Sequence, residues 1–166
     1  MIALRLRTLP AVYRVTIAAF ILVGLVGYAA GLAFVYHNTG MAASGISDHY
    51  HGNEEELKFG KSTAEMLGIV HTHLLGMGLL FFLVALLYAA TDGSDRLKTF
   101  WAAETLLSLL TTFGSLWLIA LGWSGMVWLL YPSSVLMVIG YLLMSISVLW
   151  HSLTPRSDSE GAPSGR

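Results

Sequence analysis

Apolar positions fall in four long runs, at about residues 12–37, 62–90, 99–122 and 132–150, with short polar stretches between them. A helix needs roughly 20 apolar residues to cross a hydrocarbon core, and each run meets or nearly meets that length. Inside a bilayer the backbone must satisfy its own hydrogen bonds, so runs of this length predict helices. Short connections make consecutive spans antiparallel neighbours. The expected fold is therefore an all-α integral membrane protein, an up-down-up-down bundle of four transmembrane helices.

The first run is about 25 residues long, against the 7–15 of a signal-peptide core, and so reads as a retained span. Between the third and fourth runs, Gly122 and Gly125 allow a bend, and Trp123, Trp128 and Tyr131 suit headgroup level. Pro132 then suits the first turn of the last span, where its missing N–H costs nothing. Residues 1–151 form one expected membrane domain. The tail at 152–166 is rich in Ser, Gly and Pro, a composition that predicts disorder.

Composition sharpens this picture by exclusion. Hydrophobic residues make up 55% of the 166 and charged residues 11%, which places lipid contact beyond a soluble domain's range. The chain contains no cysteine, which excludes disulfides, thiolate metal sites, iron–sulfur clusters and thioether-linked haem. A net charge of −1 offers nothing to nucleic acid. No nucleophile–base pair or phosphate-binding loop is visible, so hydrolysis and group transfer are not expected.

Charge placement predicts the topology. Arg5, Arg7 and Arg14, then Arg96 and Lys98, then Arg156 put both termini and the 91–98 loop in the cytoplasm of a bacterial inner membrane. The polar loop from His37 to Lys61 then faces the periplasm or cell exterior. Its Lys58 and Lys61 stand among Asp48 and Glu54 to Glu56.

The second run is the unusual one because it carries His71 and His73. With a rise of about 1.5 Å per residue, they lie roughly 8–10 Å and 11–13 Å below the start of the hydrocarbon. Ionisable groups at such depth mark an ion path, a cofactor or an internal polar partner. At 100° per residue the two rings point roughly 200° apart, so one ion cannot take both without help. His37, His49 and His51 cluster at the same end of the bundle. His151 stands alone at the other, where a helix C-terminus favours a cation and an end-cap is expected.

Two cofactor readings follow. A b-type haem needs axial ligands from different segments in a dry pocket, with His71 or His73 opposite His37, His49 or His51. Met41, Met66 and Met77 are weaker ligand candidates, since thioethers in apolar helices are usually filler. Gly27 and Gly31 in the first span, with Gly68, Gly76 and Gly78 in the second, allow close helix packing or leave room for a flat porphyrin. The alternative is copper or zinc at His49, His51, His71 and His73, with Glu54 to Glu56 able to complete a hard site. Glu104, followed by Thr105, Ser108, Thr111, Thr112 and Ser115, reads as a helix-start carboxylate, or else as a proton-uptake or quinone-site group.

The wording from His49 to Phe82 resembles an uncharacterised family of small bacterial membrane proteins with a Tyr-His-Gly loop (Tyr50, His51, Gly52) and a Thr-His-x-His-Leu helix motif, matched here at His71, Thr72 and His73 with Val70 at the motif's first position. Members of that family are often associated with c-type cytochrome modules, so the resemblance implies an electron-transfer setting. Taken together, the expected function is a membrane electron-transfer subunit. It would hold haem b near the periplasmic face and pass electrons between a periplasmic carrier, such as a c-type cytochrome, and quinone or another membrane subunit. The alternative is a non-catalytic accessory subunit of a respiratory or photosynthetic complex.

Overall fold

The computed structural model describes residues 5–154. A 3-10 turn at Leu6–Thr8 leads into helix α1 (Ala11–Thr39), followed by a short helix α2 (Ala43–Tyr50). A two-stranded hairpin comes next, β1 (Gly52–Asn53) and β2 (Lys58–Phe59). Helices α3 (Thr63–Ala89), α4 (Asp95–Ala120) and α5 (Val127–Leu153) complete the chain. Four helices are long and apolar enough to cross a membrane, as the pattern of apolar runs predicts.

Local chemistry sets the helix ends. Gly40 closes α1 in the left-handed conformation, and its N–H donates to the Tyr36 carbonyl at 2.8 Å. Ser62 opens α3 with a capping box: its hydroxyl accepts from the Glu65 N–H while Glu65 accepts from the Ser62 N–H. The last span departs from expectation. It begins at Val127, so Pro132 is its sixth residue and not part of a first turn. The Ser133 hydroxyl beside it donates to the Leu129 and Leu130 carbonyls, and Ser134 to that of Tyr131, supplying donors next to the one that proline lacks.

The helices pack unequally. The interface of α4 with α5 is the most extensive, α3 lies across both, and α1 packs mainly on α5. Phe81, Ile119, Tyr141, Met144 and Val148 are fully buried where they meet. Small and hydroxyl side chains bring α4 and α5 close. A Cβ added at Gly140 would overlap the Thr105 hydroxyl, and one turn-pair further on Thr112 Oγ1 donates to Ser133 Oγ at 3.0 Å. By contrast, residues 29–38 of α1 are exposed one after another, on every side of the helix.

The two described ends of the chain lie together. Arg14 donates to the Ser152 carbonyl at 3.2 Å, and the Leu6 N–H donates to the Ala90 carbonyl at 3.1 Å. The opposite end is closed by α2 and the hairpin, inside what the sequence shows only as a polar loop. Ile46 of α2 is buried, and the Tyr131 hydroxyl donates to the Met41 carbonyl at 2.8 Å. The tail beyond Thr154, including Arg156 and most of the stretch expected to be disordered, lies outside the described residues.

Candidate functional site: the histidines of the third helix

Glu65, in the capping box, marks where α3 leaves the polar surface. His71 and His73 follow about 9 Å and 12 Å further along the helix at the usual rise. Both are exposed on the surface of the bundle. Their surroundings differ. His73 Nδ1 lies 2.7 Å from the Ile69 carbonyl oxygen, and its ring stacks on Phe113 of α4, with centroids 4.7 Å apart and planes 30° from parallel. A carbonyl only accepts, so Nδ1 carries the proton and Nε2 presents a lone pair. This is the tautomer that metal-ligating histidines adopt, the second nitrogen being fixed by a backbone acceptor. Among the described residues, His71 has neither a hydrogen-bond partner nor a ring contact.

The other histidines at this end are dispersed. His51 Nδ1 donates to the Ala120 carbonyl at 3.2 Å, and its ring lies against Gly122, so it caps the end of α4. His49 meets the Tyr50 ring edge-on at 4.9 Å. Burial, and secondarily the Lys61 ammonium, hold the His49 pKa below its ordinary value. His37 is exposed in the last turn of α1 and has no hydrogen-bond or ring partner among the described residues. No group of three or more His, Asp or Glu side chains is assembled among the described residues. Met66 is 2% exposed and serves the core; Met77 packs against it.

The glycines divide in a way the sequence does not announce. Gly24 is the close-packed one, since a Cβ there would come within 2.8 Å of the Tyr141 hydroxyl. Gly27 and Gly31, the small-xxx-small pair, meet nothing within 4 Å, and neither do Gly68 and Gly76. The pair therefore does not seat a neighbouring helix within this chain.

Polar groups in the other helices have local roles. Thr105 and Thr111 donate to carbonyls of their own helix, as expected. Glu104 is the tenth residue of α4, beyond reach of a first-turn effect; Ser108 donates to its Oε1, and its buried Oε2 has no partner. His151 does more than cap a helix end. It is buried, donates from Nδ1 to the Ser147 carbonyl at 2.7 Å and accepts the Asp92 N–H on Nε2 at 3.3 Å. Asp92 also pairs with Arg5 at 3.5 Å and Arg7 at 3.6 Å, tying three segments together. Sequence reasoning misses one polar cluster entirely. Tyr28 and Tyr141 lie with centroids 4.7 Å apart, and their hydroxyls and that of Ser145 are buried without hydrogen-bond partners among the described residues.

Four apolar crossings, a capped end and a histidine-bearing face define a multi-pass helical membrane protein. Residues 40–159 match the model of a transmembrane helical domain family, and the chain belongs to that family. The matched residues begin just after α1 and take in α2, the hairpin and the other three spans. No curated protein and no solved structure matches the chain.

Proposed function

We propose that this protein is an electron-transfer subunit of a bacterial inner membrane in which His73, exposed on α3, would be a ligand to a b-type haem. The reading rests on one observation above all: a membrane-embedded imidazole whose Nδ1–H is held by the Ile69 carbonyl at 2.7 Å, leaving Nε2 free toward an uncovered face. When bound, a haem supplies one-electron chemistry between a carrier at the capped end and quinone or a neighbouring subunit. The chain's own residues do the holding. Phe113 of α4 stacks on the His73 ring and would hold its plane, and a Cβ at Gly68 or Gly76 of the same helix would meet nothing within 4 Å. A second ligand would come from His37, His49 or His51; His51 donates to the Ala120 carbonyl and His49 lies edge-on to Tyr50, while His37 has no hydrogen-bond or ring partner among the described residues.

The experiment is a reduced-minus-oxidised absorption spectrum of the full chain purified from its own membranes. Soret and α bands that His73→Ala removes or shifts, and that His151→Ala leaves in place, support the assignment.

A second reading is favoured by a separate observation. Helix α1 lies outside the family match and is exposed on all sides over residues 29–38, which suits an accessory subunit whose α1 is covered by another membrane protein. Folded protein without haem bands favours this reading.

A further inference from the structure

The hairpin between α2 and α3 turns two large apolar side chains away from the rest of the protein. It is firmly built at its base: Gly52 pairs with Phe59 and Asn53 with Lys58, and the Lys61 N–H donates to the Tyr50 carbonyl at 2.9 Å. Gly52 has φ +98, and a Cβ on Gly60 would overlap the His51 carbonyl, so both glycines are required there. The turn itself is tied by Asn53, whose Oδ1 accepts from the N–H groups of Glu55 at 3.0 Å and Glu56 at 3.3 Å. Lys58 closes one flank on Glu56 at 2.5 Å.

On this frame Leu57 takes a left-handed conformation, φ 53, which is uncommon for any residue but glycine, asparagine or aspartate. Leu57 is 83% exposed and Phe59 94% exposed. At this exposure Leu57 and Phe59 contribute little to the fold, and two large apolar side chains held out two residues apart by a tied turn are available for contact with something outside the chain. The surrounding charge narrows the occupant. Glu54 and Glu55 are exposed and form no ion pair among the described residues, while Lys58 and Lys61 are engaged by Glu56 and Glu65. Carboxylates next to the apolar tip oppose insertion among anionic lipid headgroups. They equally oppose a symmetric contact with a second copy, which would set acid against acid.

We infer that the Leu57–Phe59 tip is a docking knob for the extramembrane domain of another protein, one that offers an apolar pocket rimmed by lysine or arginine. The inference is independent of whether a haem is bound. It is tested in native membranes by replacing Phe59 with p-benzoylphenylalanine, irradiating, and identifying adducts by mass spectrometry, with the same photoprobe at lipid-facing Leu67 as the control.

The expected result is an adduct with one extramembrane protein whose yield falls at least about fivefold in Glu54→Lys/Glu55→Lys and in about 0.5 M salt, where the Debye length shrinks below about 5 Å. Leu57→Asn should lower the yield as well, without changing the thermal unfolding of the purified chain. Adducts with lipid alone, adducts with a second copy, a protein adduct indifferent to charge reversal and salt, or no adduct at all would each overturn the proposal.

Discussion

The two halves of this bundle solve different problems. In the most apolar windows of α4 and α5, 44% and 39% of residues are buried within the chain, against 11% and 17% in α1 and α3. The first pair is held by interlocking small and hydroxyl side chains: Gly140 against Thr105, and Thr112 against Ser133. Helices α1 and α3, which pack mainly on α5 and α4, carry glycines that meet nothing within 4 Å and two exposed histidines. Lipid chains are as apolar as leucine, so membrane helices associate through close packing and hydrogen bonds. The α4–α5 pair has both. In α1 and α3 such contacts are sparser: Gly27, Gly31, Gly68 and Gly76 meet nothing within 4 Å, and His73 packs on Phe113 of α4.

Glycine substitutions break this contrast most directly. Gly140→Leu forces the α4–α5 interface apart and should destabilise the protein by about 1–3 kcal/mol, the usual range for overpacking. Gly27→Ala and Gly31→Ala meet nothing within 4 Å and should leave thermal unfolding in mild detergent unchanged or slightly raised, since alanine is the better helix former. Equal sensitivity at all three positions would mean that the α1 side is packed as tightly as the α4–α5 side.

A smaller effect is expected across the same interface. Thr112→Val removes the hydroxyl that donates to Ser133 at 3.0 Å. Interhelical hydrogen bonds in membranes average about 0.6 kcal/mol with a maximum near about 1.7, so a loss within that range is predicted. Denaturation of the purified variant checks it, and a null result would shift the weight of the interface onto Gly140 alone.

The smallest effect belongs to the capped end. His49 is held below its ordinary 6.5 by burial and by Lys61. As pH falls through 6.5 the unfolded chain takes up that proton first, so it binds more protons than the folded chain in the window just below. Stability contributed by the neutral ring is thus present above 6.5 and lost as pH drops. Unfolding midpoints measured between about pH 5 and pH 7.5 should therefore rise with pH, and His49→Gln should flatten that part of the slope.

Most of the fold was legible in the pattern of residues, because spanning length and apolar content leave a helix little alternative in a bilayer. The misreading of Pro132 has a physical cause. Proline suits a helix start, yet Ser133 and Ser134 place hydroxyl donors beside it, and the helix continues through from Val127. α2 and the hairpin were missed because they depend on turn chemistry at Asn53, Gly52 and Gly60 and on burial of one residue, Ile46.

The candidate site was legible only in part. A histidine deep in an apolar run is visible in any sequence, but the rotamer that binds His73 to Ile69 and lays it on Phe113 is set by α4. Likewise, nothing in the string distinguishes Gly24, which packs, from Gly27 and Gly31, which do not. Tyr28 and Tyr141 passed unnoticed because aromatic residues are common in spans and their convergence is a tertiary event.

The difference spectrum of the purified full chain tests the central claim most directly. Haem b Soret and α bands in the wild type, lost or shifted in His73→Ala and retained in His151→Ala, are the predicted result. Intact, folded wild-type protein from its native membranes with no such bands, or bands untouched by His73→Ala, would contradict it.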